Sequence, residues 1–188
     1  MRSRLGLLFC VAALGAVLPC RATVLPDSCG NDKVTFDVST KKGAPPPATP
    51  ADGKALFVFV ETFDNGDMSF CLGCSATVRV GVDGSWVGAS KGPSYFAVPV
   101  APGEHHVCVN WQSSIGARSK NVGMASLTAE AGKVYYFESR VAEQPGEIVG
   151  TGDSMAQSSN WTFALRQLSQ DEGKYQVKLL KLATAKQQ

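Results

Sequence analysis

The sequence ALFVFVE at residues 55–61 is apolar at six of its seven positions. A run this short, with valine or phenylalanine at both odd and even positions, is typical of a β-strand that is buried on both faces. The next run, ATVRVGV at residues 76–82, alternates between two faces and predicts a second strand. Asp83-Gly84 follows directly and predicts a two-residue hairpin turn, because glycine tolerates the positive φ that such a turn needs.

Strand-like runs of this kind recur along the chain, separated by turn residues. They lie at residues 34–38, 85–88, 95–100, 105–111, 121–129, 133–141 and 161–168. Ala101-Pro-Gly-Glu104 and Glu130-Ala-Gly132 are predicted to close two further hairpins. Seven or eight short strands with this spacing predict an all-β fold, an antiparallel β-sandwich.

The C-terminal part of the chain changes its periodicity. Ser169-Gln-Asp-Glu172 matches a capping box, and Tyr175, Leu179 and Leu182 then recur at three- and four-residue spacing. We therefore predict a short C-terminal helix over residues 170–183. A strand through residues 175–182 is the alternative, because Tyr175 and Leu179 also fit a two-residue alternation with Val177 between them.

The N-terminus carries the pattern of a secretory signal peptide at residues 1–22. Arg2 and Arg4 precede an uncharged apolar run at residues 5–18, which is shorter than the ~20 residues that a membrane-spanning helix needs. Cleavage is expected between Ala22 and Thr23, which predicts export to the periplasm or to the medium. A lipoprotein anchored at Cys20 is the alternative, and Pro19 stands where such a signal needs a small residue.

Cleavage would change the charge of the chain. Without Arg2, Arg4 and Arg21, 15 basic residues face 16 acidic ones, so the net charge falls from +2 to about −1. No basic stripe remains, which argues against a nucleic-acid partner. No other apolar run in the sequence is long enough to span a bilayer, so no transmembrane span is expected in the mature chain.

The mature chain divides into two predicted parts. Residues 23–53 form an extended lead-in with four prolines between residues 41 and 52, and proline keeps such a stretch outside a sheet. Residues 54–188 then form a single β-sandwich domain that ends in the predicted helix.

The middle of the chain resembles a bacterial family, domain of unknown function 2846, whose layout is similar to that of the PEGA-type modules. The resemblance rests on five motifs over roughly residues 54–170: RVGVDG at 79–84, WVG at 86–88, SYF at 94–96, PGEH at 102–105 and AGKVYY at 131–136. It implies a small transthyretin-like or prealbumin-like β-sandwich. It implies no catalytic residues, and it explains neither the cysteines nor the proline-rich lead-in.

The mature chain contains four cysteines: Cys29, Cys71, Cys74 and Cys108. An even number of cysteines in an exported protein predicts disulfides, and four cysteines allow three pairings. We favour a bridge from Cys108 to either Cys71 or Cys74, with Cys29 bound to the other one.

Two other roles for the cysteines are open. Cys71-Leu-Gly-Cys74 has the spacing of a redox pair, although a strand follows it and not the helix that lowers a thiol pKa in such enzymes. Cys71, Cys74 and Cys108 with His105 or His106 would also make a tetrahedral zinc site. The plainer alternative places one histidine in solvent and the other at an ordinary strand position.

The sequence contains no metalloprotease motif and no phosphate-binding loop, and Gly88-Ala-Ser-Lys-Gly92 matches the serine-nucleophile pattern only in its spacing, because predicted strands lie on both sides of it and no helix follows. We therefore expect an exported, non-catalytic interaction module of the cell envelope, with another envelope protein as its partner and with no cofactor. The alternative is a metal- or thiol-active periplasmic protein that uses the cysteine and histidine residues named above.

Overall fold

The computed structural model describes Pro26 and residues 28–43, 49–63, 77–112, 122–150 and 156–188. Its elements, in chain order, are β1 Phe36–Lys41, β2 Ala55–Glu61, β3 Thr77–Val82, β4 Ser85–Lys91, β5 Ser94–Val100, β6 Gly103–Gln112, β7 Val122–Ala129, β8 Val134–Val149, β9 Ala156–Leu168, α1 Gln170–Leu179 and β10 Lys181–Gln187. The predicted signal peptide and its cleavage site at Ala22 and Thr23 lie outside the described residues.

The strands form two sheets. One sheet has six strands in the order β1-β10-β5-β2-β8-β9, and the other has four in the order β4-β3-β6-β7. The prediction of an all-β sandwich with a C-terminal helix is confirmed. The sheets are not purely antiparallel, because β2 pairs with β8 and β10 pairs with β5 in parallel, and the described chain has ten strands where seven or eight were predicted. Within the described part of the chain, no helix combines the length and the apolar character that crossing a membrane requires.

Strand β2 lies in the middle of the six-stranded sheet and is buried along its whole length. Ala55, Phe57 and Phe59 belong to the main core between the two sheets. Leu56, Val58 and Val60 belong to a second core with Tyr136 and with Val177 of α1. The prediction of a strand buried on both faces is therefore confirmed, because the helix covers the face that points away from the other sheet.

The hairpin at Asp83-Gly84 is also confirmed, with φ angles of 50° and 81° at the turn and antiparallel pairing of β3 with β4. The other two predicted hairpins are wrong. The turn at residues 101–104 leads from β5 in the six-stranded sheet to β6 in the four-stranded sheet. The turn at residues 130–132 likewise joins β7 to β8 across the sandwich. Proline and glycine mark where the chain reverses but not which sheet the next strand joins.

The C-terminal helix begins as predicted but ends early. The hydroxyl of Ser169 accepts a hydrogen bond from the Glu172 N–H at 3.2 Å, and the Glu172 carboxylate accepts one from the Ser169 N–H at 2.9 Å. The helix stops at Leu179, not at residue 183, and β10 follows it between β1 and β5. The alternation around Leu182 thus belongs to a strand whose Ala183 is buried in the main core.

The N-terminal segment is packed tightly on the sandwich. The guanidinium of Arg79 donates to the carbonyls of Asp32 at 3.1 Å and Val34 at 2.5 Å. The indole of Trp86 donates to the carbonyl of Asn31 at 2.7 Å. Strand β1 then pairs with β10, so packing continues across the domain boundary predicted at residue 54.

Candidate functional site

Cys29 and Cys108 form a disulfide, with their Cα atoms 5.0 Å apart. The favoured bridge from Cys108 to Cys71 or Cys74 is therefore wrong. The close approach of the N-terminal segment to β3 explains the pairing, since a Cβ at Gly81 would lie 2.2 Å from the Cys29 carbonyl oxygen. Gly81 lies opposite Cys108 in the register of β3 and β6, which places Cys29 directly over its partner. Cys71 and Cys74 lie outside the described residues.

His105 is held by two oxygen acceptors. Its Nδ1 lies 2.6 Å from Asp83 Oδ2, and its Nε2 lies 2.7 Å from the Ala101 carbonyl oxygen. Because a carbonyl oxygen and an ionised carboxylate only accept hydrogen bonds, these two contacts favour the imidazolium form of the ring, in which both nitrogens donate. Burial works against this charge, but the Ala101 carbonyl and the Asp83 carboxylate outweigh it and raise the pKa of His105.

His106 lies on the opposite face of β6. Its side chain is exposed, and its Nδ1 lies 2.8 Å from the hydroxyl of Ser126. The zinc ligands proposed at Cys108 and His105 are therefore already engaged: Cys108 is in a disulfide, and both ring nitrogens of His105 contact oxygen acceptors. No group of three or more metal-ligating side chains occurs among the described residues.

A long hairpin is the feature of the fold that sequence patterns missed. Strand β8 pairs with β2 only as far as Ser139, while its pairing with β9 continues to Val149 opposite Ala156. Within the described chain, residues 142–149 and 156–162 hydrogen-bond as strands only to each other. We call these two stretches the arm. The side chains of Pro145, Ile148 and Val149 in the arm are exposed.

The base of the arm is a charged cluster around Glu138, whose side chain is 2% exposed. The Glu138 carboxylate accepts from Arg140 Nε at 2.6 Å and from Arg166 at 3.0 and 3.2 Å. The hydroxyl of Thr62 donates to its other oxygen at 3.1 Å. Arg166 also bonds Glu172, the capping residue of α1, at 3.1 Å. One buried carboxylate thus ties together β2, both strands of the hairpin and, through Arg166, the helix.

Glu61 lies beside this cluster with no cation among its described hydrogen-bond partners. It accepts hydrogen bonds from the hydroxyl of Ser139 and, at 3.0 Å, from the Phe63 N–H. Burial raises the pKa of Glu61 from 4.5 to about 7, against these hydrogen bonds and with a further contribution from the charge of Glu138. Glu61 is therefore a proton-binding group at neutral pH, located where the arm leaves the sheet.

An apolar groove of about 490 Å³ lies on the six-stranded sheet. Its floor is formed by β2, β5 and β10, and the turn at residues 49–51 forms one wall. The lining side chains include Leu56, Phe96, Pro99 and Leu182.

The signals for these features in the sequence are weak. Glu61 and Glu138 each stand in a strongly apolar strand, ALFVFVE and VYYFESRV, where a carboxylate needs a partner or a proton. The arm lies in a polar, glycine-containing stretch with no clear alternation, so the predicted strands ended at residue 141 and resumed only at residue 161.

No family model, no curated protein and no solved structure matches the chain. The resemblance to domain of unknown function 2846 therefore stays a prediction.

Proposed function

We propose that this protein is an exported, non-catalytic interaction module of the cell envelope, and that the arm is its contact element. The observation that carries the proposal is the pairing of β8 with β9, which continues over residues 142–149 of β8, beyond the pair formed by Val141 and the core-packed Phe163. A two-stranded ribbon gains little stability in water by itself. A partner that covers it would supply the missing packing.

The exposed side chains of the arm support the same proposal. Ile148 is 63% exposed and Val149 is 53% exposed, whereas most large apolar side chains of β2, β5 and β6 are buried. Adjacent exposed apolar residues at the end of a projecting element are typical of a contact site. The buried disulfide between Cys29 and Cys108 fits an oxidising compartment, where an exported protein would act.

Photocrosslinking in the exporting host tests the proposal. A photoreactive amino acid replaces Ile148 at the exposed arm, and a matched one replaces the exposed Glu104 at the start of β6. We expect a crosslinked adduct from position 148 and none from position 104. If neither position gives an adduct in the envelope fraction, the arm is not a contact element.

A second candidate function is thiol activity at Cys71 and Cys74. The observation that favours it is the pairing of Cys29 with Cys108, which leaves the Cys-x-x-Cys motif without either of the other mature cysteines. A zinc site that includes Cys108 or His105 is no longer part of this candidate.

Thiol counting separates the two candidates. The protein is exported, denatured and alkylated before and after reduction. Activity at the motif predicts that Cys71 and Cys74 change between free and oxidised at potentials near that of the periplasm. A bond between them that resists mild reductants would instead make it a structural bridge.

A further inference from the structure

We propose that the partner of the arm is a second copy of this chain, and that the arm of one copy docks in the apolar groove of the other. This inference rests on the proposed function, since it names the partner of the same contact element.

The two surfaces lie in different places on the molecule. The arm continues the β8–β9 edge of the six-stranded sheet, whereas the groove lies on β2, β5 and β10, with β10 next to the opposite edge strand β1. One copy can therefore offer its arm and receive another arm at the same time. Contact between two different patches of identical chains is a heterologous interface.

Both the arm and the groove present apolar side chains. Ile148 and Val149 are exposed on the arm, and the groove is lined mainly by apolar side chains. Eight residues of extended chain span about 25 Å, which is enough to reach across a neighbouring sheet of several strands. Docking would remove from water the exposed apolar side chains of the arm and, in the groove, the exposed Pro99 and the partly exposed Leu182.

The charges of the two surfaces are opposite. The arm contains two acidic residues, Glu143 and Glu147, and no lysine or arginine. Three lysines are located near groove residues. Lys41 lies opposite Leu182 in the register of β1 and β10. The exposed Lys181 directly precedes Leu182, and the exposed Lys54 stands two residues before Leu56. Asp52 is the acidic residue of the adjoining turn, so the lysines outnumber it. An acidic arm would be attracted to such a rim, and like-charged partners would be disfavoured.

Sedimentation velocity of the exported protein tests the inference, over a concentration series up to about 200 µM. We expect the average mass to rise with concentration. Ile148→Asp should weaken association tenfold or more, because it places a charge in an apolar contact. Met124→Asp is the matched control, since Met124 is an exposed apolar residue on β7, and it should leave association unchanged.

Exchanging one charge on each surface distinguishes the loss of a contact from misfolding, because misfolding would not be reversed by a second substitution. Glu147→Lys and Lys41→Glu should each weaken association several-fold, and the two together should restore it. Failure of the double variant to recover would overturn the pairing of these two surfaces. Unchanged far-UV circular dichroism and melting temperature of each single variant show that its fold is intact.

The crosslinks from position 148 separate this inference from the proposed function. An adduct of twice the chain mass that maps to residues 49–56, 94–100 or 181–187 supports docking in the groove. A monomer at every concentration with an adduct to a different protein overturns self-association and leaves the interaction module standing. A copy-to-copy adduct outside the groove overturns the docking site, and the absence of any adduct contradicts both proposals.

Discussion

Replacement of Glu61 by glutamine tests the link between the buried carboxyl and stability. Glu61 is 2% exposed, and the pKa of its carboxyl rises from 4.5 to about 7 on folding, chiefly through burial. The folded protein therefore holds a proton that the unfolded chain releases between pH 4.5 and pH 7. Stability is greatest below this range and falls as the pH rises through it, because ionising Glu61 costs more in the fold than in water.

The size of the effect follows from the two pKa values. A rise from 4.5 to about 7 corresponds to about 3 kcal/mol of lost folding free energy well above pH 7, and to about 1 kcal/mol or less at pH 5. Glutamine is uncharged at all pH values and keeps an oxygen to accept from the Phe63 N–H, which binds Glu61 Oε1 in the parent protein. Its amide can donate to the hydroxyl of Ser139.

Thermal unfolding measured from pH 5 to pH 9 is the assay. For a chain of this size, 3 kcal/mol corresponds to a melting temperature higher by very roughly 10 °C for Glu61→Gln than for the parent at pH 9. At pH 5 the two proteins should melt within a few degrees of each other. Glu104→Gln is the control, because Glu104 is exposed and its replacement should leave the pH profile as it is. The reasoning is refuted if the melting temperature of Glu61→Gln falls with pH as steeply as that of the parent, or if it lies below that of the parent at pH 9.

Three further substitutions test the packing. Replacing Cys29 and Cys108 together by alanine should cost about 2–4 kcal/mol under oxidising conditions, because the bridge joins residues 79 positions apart; an unchanged denaturant midpoint would argue against the bridge. Gly173→Ala should lower stability although alanine favours helices, because its Cβ would lie 2.1 Å from Cγ of Tyr136; a higher melting temperature would contradict this close packing. Tyr95→Phe should be neutral or stabilising by about 1 kcal/mol, because the buried Tyr95 hydroxyl has no hydrogen-bond partner in the described part of the chain; a clear loss in calorimetry would reveal a partner.

Local patterns predicted the elements of this fold better than their connections. The doubly buried β2, the Asp83-Gly84 hairpin and the capping box at Ser169 all follow from short-range chemistry, and all three are confirmed. The turns at residues 101–104 and 130–132 were assigned to hairpins because a proline or glycine turn looks the same whether the next strand joins the same sheet or the opposite one. That choice depends on packing between distant residues.

The cysteine pairing shows the same limit. Cys71 and Cys74 lie just before the predicted strand at residues 76–82, and strands of one sandwich can bring such positions within bridging distance of Cys108, which favours them as its partners. The observed bridge depends on the N-terminal segment crossing β3, where Gly81 leaves room for the backbone of Cys29. Nothing in the spacing of the cysteines indicates that crossing.

The candidate site could be predicted only in part. Two carboxylates in apolar strands, Glu61 and Glu138, signal an unusual environment, but the sequence does not show that Arg140 and Arg166 bind Glu138 and not Glu61. The arm has no signal of its own, because its polar, glycine-containing sequence lacks the alternation by which strands are recognised.

Amide hydrogen exchange along β8 tests the central claim most directly, namely that the arm, which in the described part of the chain pairs only within itself, lacks support until a partner covers it. In a dilute sample of the exported protein, we predict that amides at residues 134–139, which pair with β2, are strongly protected, and that those at residues 142–149 exchange at least about a hundredfold faster. Equal protection along the whole of β8 in the dilute protein would contradict the account.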